Sequence, residues 1–135
     1  MVLLAGDYEC VGPGWKPILK ALDQSITNVL DNSKTRCECK ILQIKEKFGG
    51  LRFYFELKGL DEERRAKIWG AVMMAECMSY KTCEVCGATT DVSTEPSRKP
   101  RGEGRMGGGR TLTLCDKCHK KRAEEGGLEF GKFEV

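Results

Sequence analysis

Cys83-Glu84-Val85-Cys86-Gly87 and, further along, Thr111-Leu112-Thr113-Leu114-Cys115-Asp116-Lys117-Cys118 decide how this chain is read. Each stretch carries a Cys-x-x-Cys pair that presents two thiolates to one ion, and two such pairs make the tetrahedral sulfur set preferred by structural Zn2+. Residues 87–114 separate the pairs, longer than in a compact zinc ribbon but short enough for one looped-out module. Four thiolates fill the coordination sphere and leave no position for water or substrate. Cys83, Cys86, Cys115 and Cys118 are therefore the predicted ligands of a zinc ion that holds a fold together.

The surroundings of each pair agree with that reading. Gly87 permits a tight turn that aims backbone N–H groups at the sulfurs, as in a zinc knuckle. Residues 111–114 form a short predicted strand, and Cys115/Cys118 open a polar helix closed by Gly126-Gly127. Knuckle, strand, and a ligand pair in the first turn of a helix resemble the treble-clef zinc finger; a helix N-terminus suits thiolates electrostatically. A thiol-redox role would need one such pair in a βαβ setting, which is missing. Iron suits the same four sulfurs and stays open at this point. Cys10, Cys37, Cys39 and Cys77 are scattered, and read as small buried hydrophobes. His119, the sole histidine, is expected to be exposed or to support a ligand.

Upstream, Trp15 to about Leu30 has helical spacing, with Ile18, Leu22 and Ile26 on one side and Lys16, Lys20, Asp23, Gln24 and Asn28 on the other. Pro17 falls in the first turn, where a missing N–H costs nothing. Residues 37–45 and 51–57 read as a hairpin turned by residues 46–50. In its second strand Leu51, Phe53, Phe55 and Leu57 alternate with polar neighbours. In the first, the apolar phase slips near Ile41, which predicts a bulge or burial of both faces. A second helix runs from Leu60 to about Ser79, with Ile68, Val72, Ala75, Trp69 and Met73 as apolar ridges. The predicted fold is α+β: a helix–β-hairpin–helix body over residues 1–80, both helices on one sheet face. A treble-clef-like zinc finger follows over 81–127, then a tail over 128–135.

The chain has 135 residues, of which 40% are hydrophobic and 32% charged. That is material for one modest core and a metal module. No apolar run reaches membrane-spanning length, and residues 1–6 lack the basic start of a signal peptide. Eight cysteines without an export signal point to reduced thiols, metal and a cytoplasmic setting.

A net charge of +3 is too small by itself to announce a nucleic-acid binder. The cations are nevertheless concentrated. Residues 93–110, read as an irregular Gly/Pro-rich loop, carry Arg98, Lys99, Arg101, Arg105 and Arg110 against Glu95 and Glu103. Residues 34–52 carry Lys34, Arg36, Lys40, Lys45, Lys47 and Arg52 against Glu38 and Glu46, and Tyr54 shares a strand face with Arg52. Lys45, Lys47, Arg52, Arg98, Arg101, Arg105 and Lys120 are the candidate contacts for phosphates or for a protein partner. Equally, such charges serve solubility on any surface.

Gly14-Trp15, the run Gln43 to Tyr54 (QIKEKFGGLRFY), Ala75-Glu76 with Ser79, and the two cysteine motifs together resemble a group of small, mostly uncharacterised proteins of bacteria and their phages. The likeness spans about residues 12 to 120. It implies a shared helix–hairpin–helix body with a zinc finger and carries no activity with it. The loop before Thr111 is longer and more basic here than in that group.

Three function classes come into question. A nuclease built on a treble clef needs histidines and a carboxylate around an open metal site. One histidine does not supply them, and Glu46, Glu56 and Glu76 follow no marked spacing. Neither a P-loop nor a nucleophile elbow is present. The sequence points to a non-enzymatic zinc-finger binding protein that contacts nucleic acid through the basic loop and hairpin. The alternative is a protein-interaction module, such as a phage-encoded inhibitor of a bacterial complex. Neither a membrane nor a small-molecule substrate is indicated.

Overall fold

The computed structural model describes residues 1–96 and 111–124. Helix α1 (Lys16–Asp31) precedes strands β1 (Glu38–Lys47) and β2 (Gly50–Lys58), helix α2 (Glu62–Ser79), strands β3 (Val92–Glu95) and β4 (Leu112–Cys115), and helix α3 (Asp116–Glu124). The class is α+β, with two separate two-stranded antiparallel sheets, β1–β2 and β3–β4. No helix among the described residues is long and apolar enough to cross a membrane.

Helix α1 starts one residue later than its periodicity predicts, because Pro13–Trp15 form a 3-10 turn ahead of it. Ile18, Leu19, Leu22 and Ile26 are buried along one stripe. Asp23, expected on the solvent side, is buried too. Its carboxylate accepts hydrogen bonds from the Val2 amide at 2.8 Å, the Thr27 hydroxyl at 3.2 Å and the Tyr8 hydroxyl at 3.4 Å. Those donors make its burial tolerable, and they pin the N-terminal segment, whose Leu3 enters the core.

The apolar row predicted on β2 is the sheet's inner face: Leu51, Phe53 and Phe55, with Ile44 of β1, share one core with both helices. The predicted slip is a bulge. Ile41 pairs with Phe55 and Gln43 with Tyr54, which leaves Leu42 unpaired and half exposed. The strands run closer to the turn than expected, so the connection is Phe48-Gly49 alone. Both residues have positive φ, 53° and 85°. That is the mark of a type I′ hairpin turn. The Glu46 carboxylate closes it by accepting from the Gly49 amide at 2.7 Å.

Asp61 caps α2, its side chain accepting from the Arg64 amide at 2.8 Å. Ile68, Val72 and Ala75 face the core as expected. Trp69 and Met73 do not: they are 50% and 64% exposed, Trp69 lying across Phe55 at a centroid distance of 4.5 Å. On its inner flank α2 covers the open edge of β2. Ser79 Oγ accepts from the Leu51 amide at 2.9 Å, and Glu76 Oε2 from the Phe53 amide at 3.0 Å. A sheet edge is thereby closed by side chains, which removes a template for unwanted strand pairing.

A second, much smaller apolar cluster joins Cys83, Leu112, Leu114 and Cys115, flanked by Val85, Ala88, Val92 and Cys118. So few apolar side chains hold a hairpin and a short helix only with a further crosslink.

Candidate functional site

The end of α2 leads directly into the first cysteine pair, and β4 leads into the second. Cys115 closes β4, and Cys118 lies in the first turn of α3. The expected placement of both ligands in the helix is corrected for Cys115: the chain is still paired there, with Val92 opposite. The four sulfurs lie within 4.8 Å of one another. Cys86 Sγ and Cys115 Sγ stand 3.6 Å apart. Two sulfurs bound tetrahedrally to zinc at ~2.3 Å would stand about 3.8 Å apart. The donor set and its spacing fit one tetrahedral metal ion.

Backbone geometry supports the sulfurs as the glycine predicts. Gly87, at φ +81°, closes the knuckle with its amide donating to the Cys83 carbonyl at 3.0 Å. Burial pushes the Cys86 thiol up, with the Ala88 amide opposing that by donating to its sulfur. Cys118 is also pushed up, by burial and by the neighbouring sulfurs. Cys115 is buried as well, but hydrogen bonds from the Cys118 amide and the adjacent thiols hold its thiol below the ordinary value. Four thiolates brought this close repel one another unless a cation lies between them. The dispersed cysteines take no part. Cys10 and Cys77 are exposed and Cys37 and Cys39 half-buried, so the expectation of fully buried hydrophobes is corrected.

His119 is 3% exposed, not a surface imidazole. Its Nε2 lies 2.8 Å from the Ser93 carbonyl and 3.4 Å from Glu95 Oε2, so the ring ties α3 to β3. Strand β3 itself is absent from the sequence reading, which gives residues 93–95 to the start of the loop. They pair with β4 residue for residue. The sequence signal is weak: only the β-branched Val92 and Thr94 hint at a strand opposite Leu112-Thr113-Leu114.

Hydrogen bonds at two ends join this module to the helix–hairpin–helix body. Trp15 Nε1 donates to the Thr82 carbonyl at 2.9 Å, and the Gly14 amide donates to the Glu84 carbonyl at 2.7 Å. A side chain on Gly14 would collide with the Cys83 carbonyl and stand 2.6 Å from the Gly87 nitrogen. Only glycine fits against the knuckle. At the other end the Thr113 hydroxyl donates to the Gly49 carbonyl at 2.6 Å. Its single proton being used there, Thr113 accepts from the Thr94 hydroxyl, also at 2.6 Å. Inside the module the buried Glu84 carboxylate accepts from the Thr113 amide at 2.6 Å.

Of the cations singled out as contacts, Lys45, Lys47 and Arg52 share the hairpin. Lys45 and Arg52 are cross-strand partners. Arg52 and Tyr54 share the outer strand face as expected; Lys45 Nζ sits 5.6 Å from the Tyr54 ring centroid, and Arg52 Nη2 donates to Tyr80 Oη at 3.3 Å. Lys47 Nζ lies 5.9 Å from the Phe48 ring. Lys120 is exposed on α3. Arg98, Arg101 and Arg105 fall outside the described residues. On another side, Pro17, Ala21 and Ser25 of α1 and Ala71, Met74 and Met78 of α2 line an apolar groove of about 330 Å³. Of the three glutamates considered for a carboxylate site, Glu46 accepts from the Gly49 amide and Glu76 from the Phe53 amide. No family model, curated protein or solved structure matches this chain.

Proposed function

We propose that this chain is a zinc-finger binding protein in which four cysteines hold one Zn2+ as a fold element and the hairpin bears the contacts to nucleic acid. The order of knuckle, β3–β4 hairpin and α3 supports a treble-clef arrangement. Bound zinc would supply a crosslink between the two cysteine pairs. Full coordination by sulfur argues for a binding role over a catalytic one.

The observation that carries the binding half is the grouping of Lys45, Lys47 and Arg52 with Phe48, Tyr54 and Tyr80 on and beside one hairpin. Cations alone are ordinary surface chemistry; cations interleaved with exposed rings match what phosphates and bases require. The basic loop holding Arg98, Arg101 and Arg105 would add phosphate contacts. A fluorescence-anisotropy titration of labelled oligonucleotides with zinc-loaded protein across a salt series tests this. Affinity should fall steeply with salt, and Lys45→Ala and Lys47→Ala should each lower the slope by about one. Absence of binding at low salt would contradict it.

A second reading is a protein-interaction module, including a phage-encoded inhibitor of a bacterial complex. The apolar groove and the exposed Met73, Met74 and Met78 favour a protein partner, since flexible methionines suit adaptable contacts. Capture of one stoichiometric protein, unaffected by nuclease, would support it over the first.

A further inference from the structure

The geometry points to single-stranded nucleic acid as the ligand of the hairpin, with bases stacked on Phe48 and Tyr54 and phosphates met by Lys45, Lys47 and Arg52. This rests on the nucleic-acid reading above and specifies its substrate class.

Two observations carry it. The first concerns Phe48, which occupies a position where the backbone is held at φ 53°. A type I′ turn asks for asparagine or glycine there, and a bulky side chain in the left-handed region is a rare and costly choice. Its ring gains nothing from burial in return, being 71% exposed at the hairpin tip. A strained, exposed aromatic is kept where the ring itself has a use. The second is the disposition of the neighbours. Tyr54 is 40% exposed on the outer sheet face and Tyr80 is 37% exposed beside Arg52. Phe48 and Tyr54 each have a lysine ammonium near the ring, at 5.9 and 5.6 Å from the centroid. An exposed cation–π contact is weak, so a base can take the ring face and leave the ammonium to the adjoining phosphate.

Duplex bases are stacked on each other and offer no free face, whereas splayed single-strand bases do. A two-stranded hairpin could enter a major groove. Rings in place of amide or guanidinium readers at the tip favour stacking over edge recognition.

The test uses the zinc-loaded full chain and labelled oligonucleotides of about 15 nucleotides in three forms: single-stranded, duplex of the same sequence, and single-stranded with abasic sites. Single strands should bind at least about tenfold more tightly than duplex, and abasic strands should lose most of that margin. Phe48→Ala and Tyr54→Ala should each weaken single-strand binding roughly 5- to 100-fold and leave abasic binding unchanged. Tyr54→Phe should retain affinity. Phe48→Asn should raise the melting temperature while weakening binding, since it relieves the turn and removes the ring. Equal affinity for duplex and single strand, or for abasic and intact strands, overturns the stacking proposal while the broader reading stands. No binding in any arm overturns both.

Discussion

The indole nitrogen of Trp15 donates to the main-chain carbonyl of Thr82 at 2.9 Å, across 67 positions of sequence and inside the core. Trp15 belongs to the turn that opens the first helix, and Thr82 immediately precedes Cys83, the first cysteine of the cluster. One side chain thus reports on both the helical body and the cysteine module. Trp15→Phe leaves that carbonyl without its donor and vacates buried space beside it, so the cost in chemical denaturation should reach at least about 1–3 kcal/mol. A cost well below that range would show that the two parts are not coupled through this bond.

Gly14 makes the same junction by contact of backbones. Gly14→Ala has no room, because the obstructing atoms are the Cys83 carbonyl, the Gly87 nitrogen and the Glu84 carbonyl carbon, none of which is a movable side chain. The variant should shift the melting temperature down by several degrees and loosen metal retention against a chelator. Wild-type retention in Gly14→Ala would mean that the knuckle is free to move away from the body.

Ser79→Ala removes the acceptor of the Leu51 amide, at 2.9 Å, and opens the β2 edge. Ser79 is fully buried, so water does not replace the lost partner, and a loss of about 1–3 kcal/mol follows. Hydrogen exchange should show faster loss of protection at Leu51 than at Lys45 or Arg52, whose amides face the partner strand. Uniform exchange along the hairpin would contradict the edge-capping role.

Metal retention should depend on pH in a stated direction. The Cys86 and Cys118 thiols are held above the ordinary thiol value, chiefly by burial, so metal binding expels protons from them. Acidification restores those protons and weakens binding by a factor of about ten per pH unit for each proton displaced. Competition with a chromogenic chelator between mildly alkaline and mildly acidic pH measures this slope; a flat profile would contradict it. Alkylation gives a parallel readout: Cys10 and Cys77 are exposed and should react first in the loaded protein. Cys39, whose thiol burial pushes up to about 11, should lag. Chelation should then release the four ligand cysteines to the reagent.

Much of this is legible in the residues because it rests on local patterns. The β2 alternation, the helical stripe of Ile18, Leu22 and Ile26, and the paired cysteines each carry their own periodicity or spacing. The features that escape such a reading depend on partners distant in sequence. Asp23 reads as a surface acid until Val2, Tyr8 and Thr27 surround it. His119 looks exposed until β3 lies beside it, and β3 is too short to declare itself without β4. Glu76 and Ser79 stand out within a motif, but their use as caps for the β2 edge is visible only in three dimensions. Trp69 and Met73 are misplaced for a different reason. From Ile68 onward α2 is apolar nearly all round, so periodicity does not tell its inner stripe from its outer one.

X-ray absorption at the zinc edge, on protein purified with its thiols reduced and with metal content measured alongside, addresses the central claim most directly. One zinc per chain with four sulfur neighbours at ~2.3 Å is the predicted result. Protein that carries no stoichiometric metal with its thiols reduced, or a coordination shell containing nitrogen or oxygen, would contradict a closed cage built by Cys83, Cys86, Cys115 and Cys118.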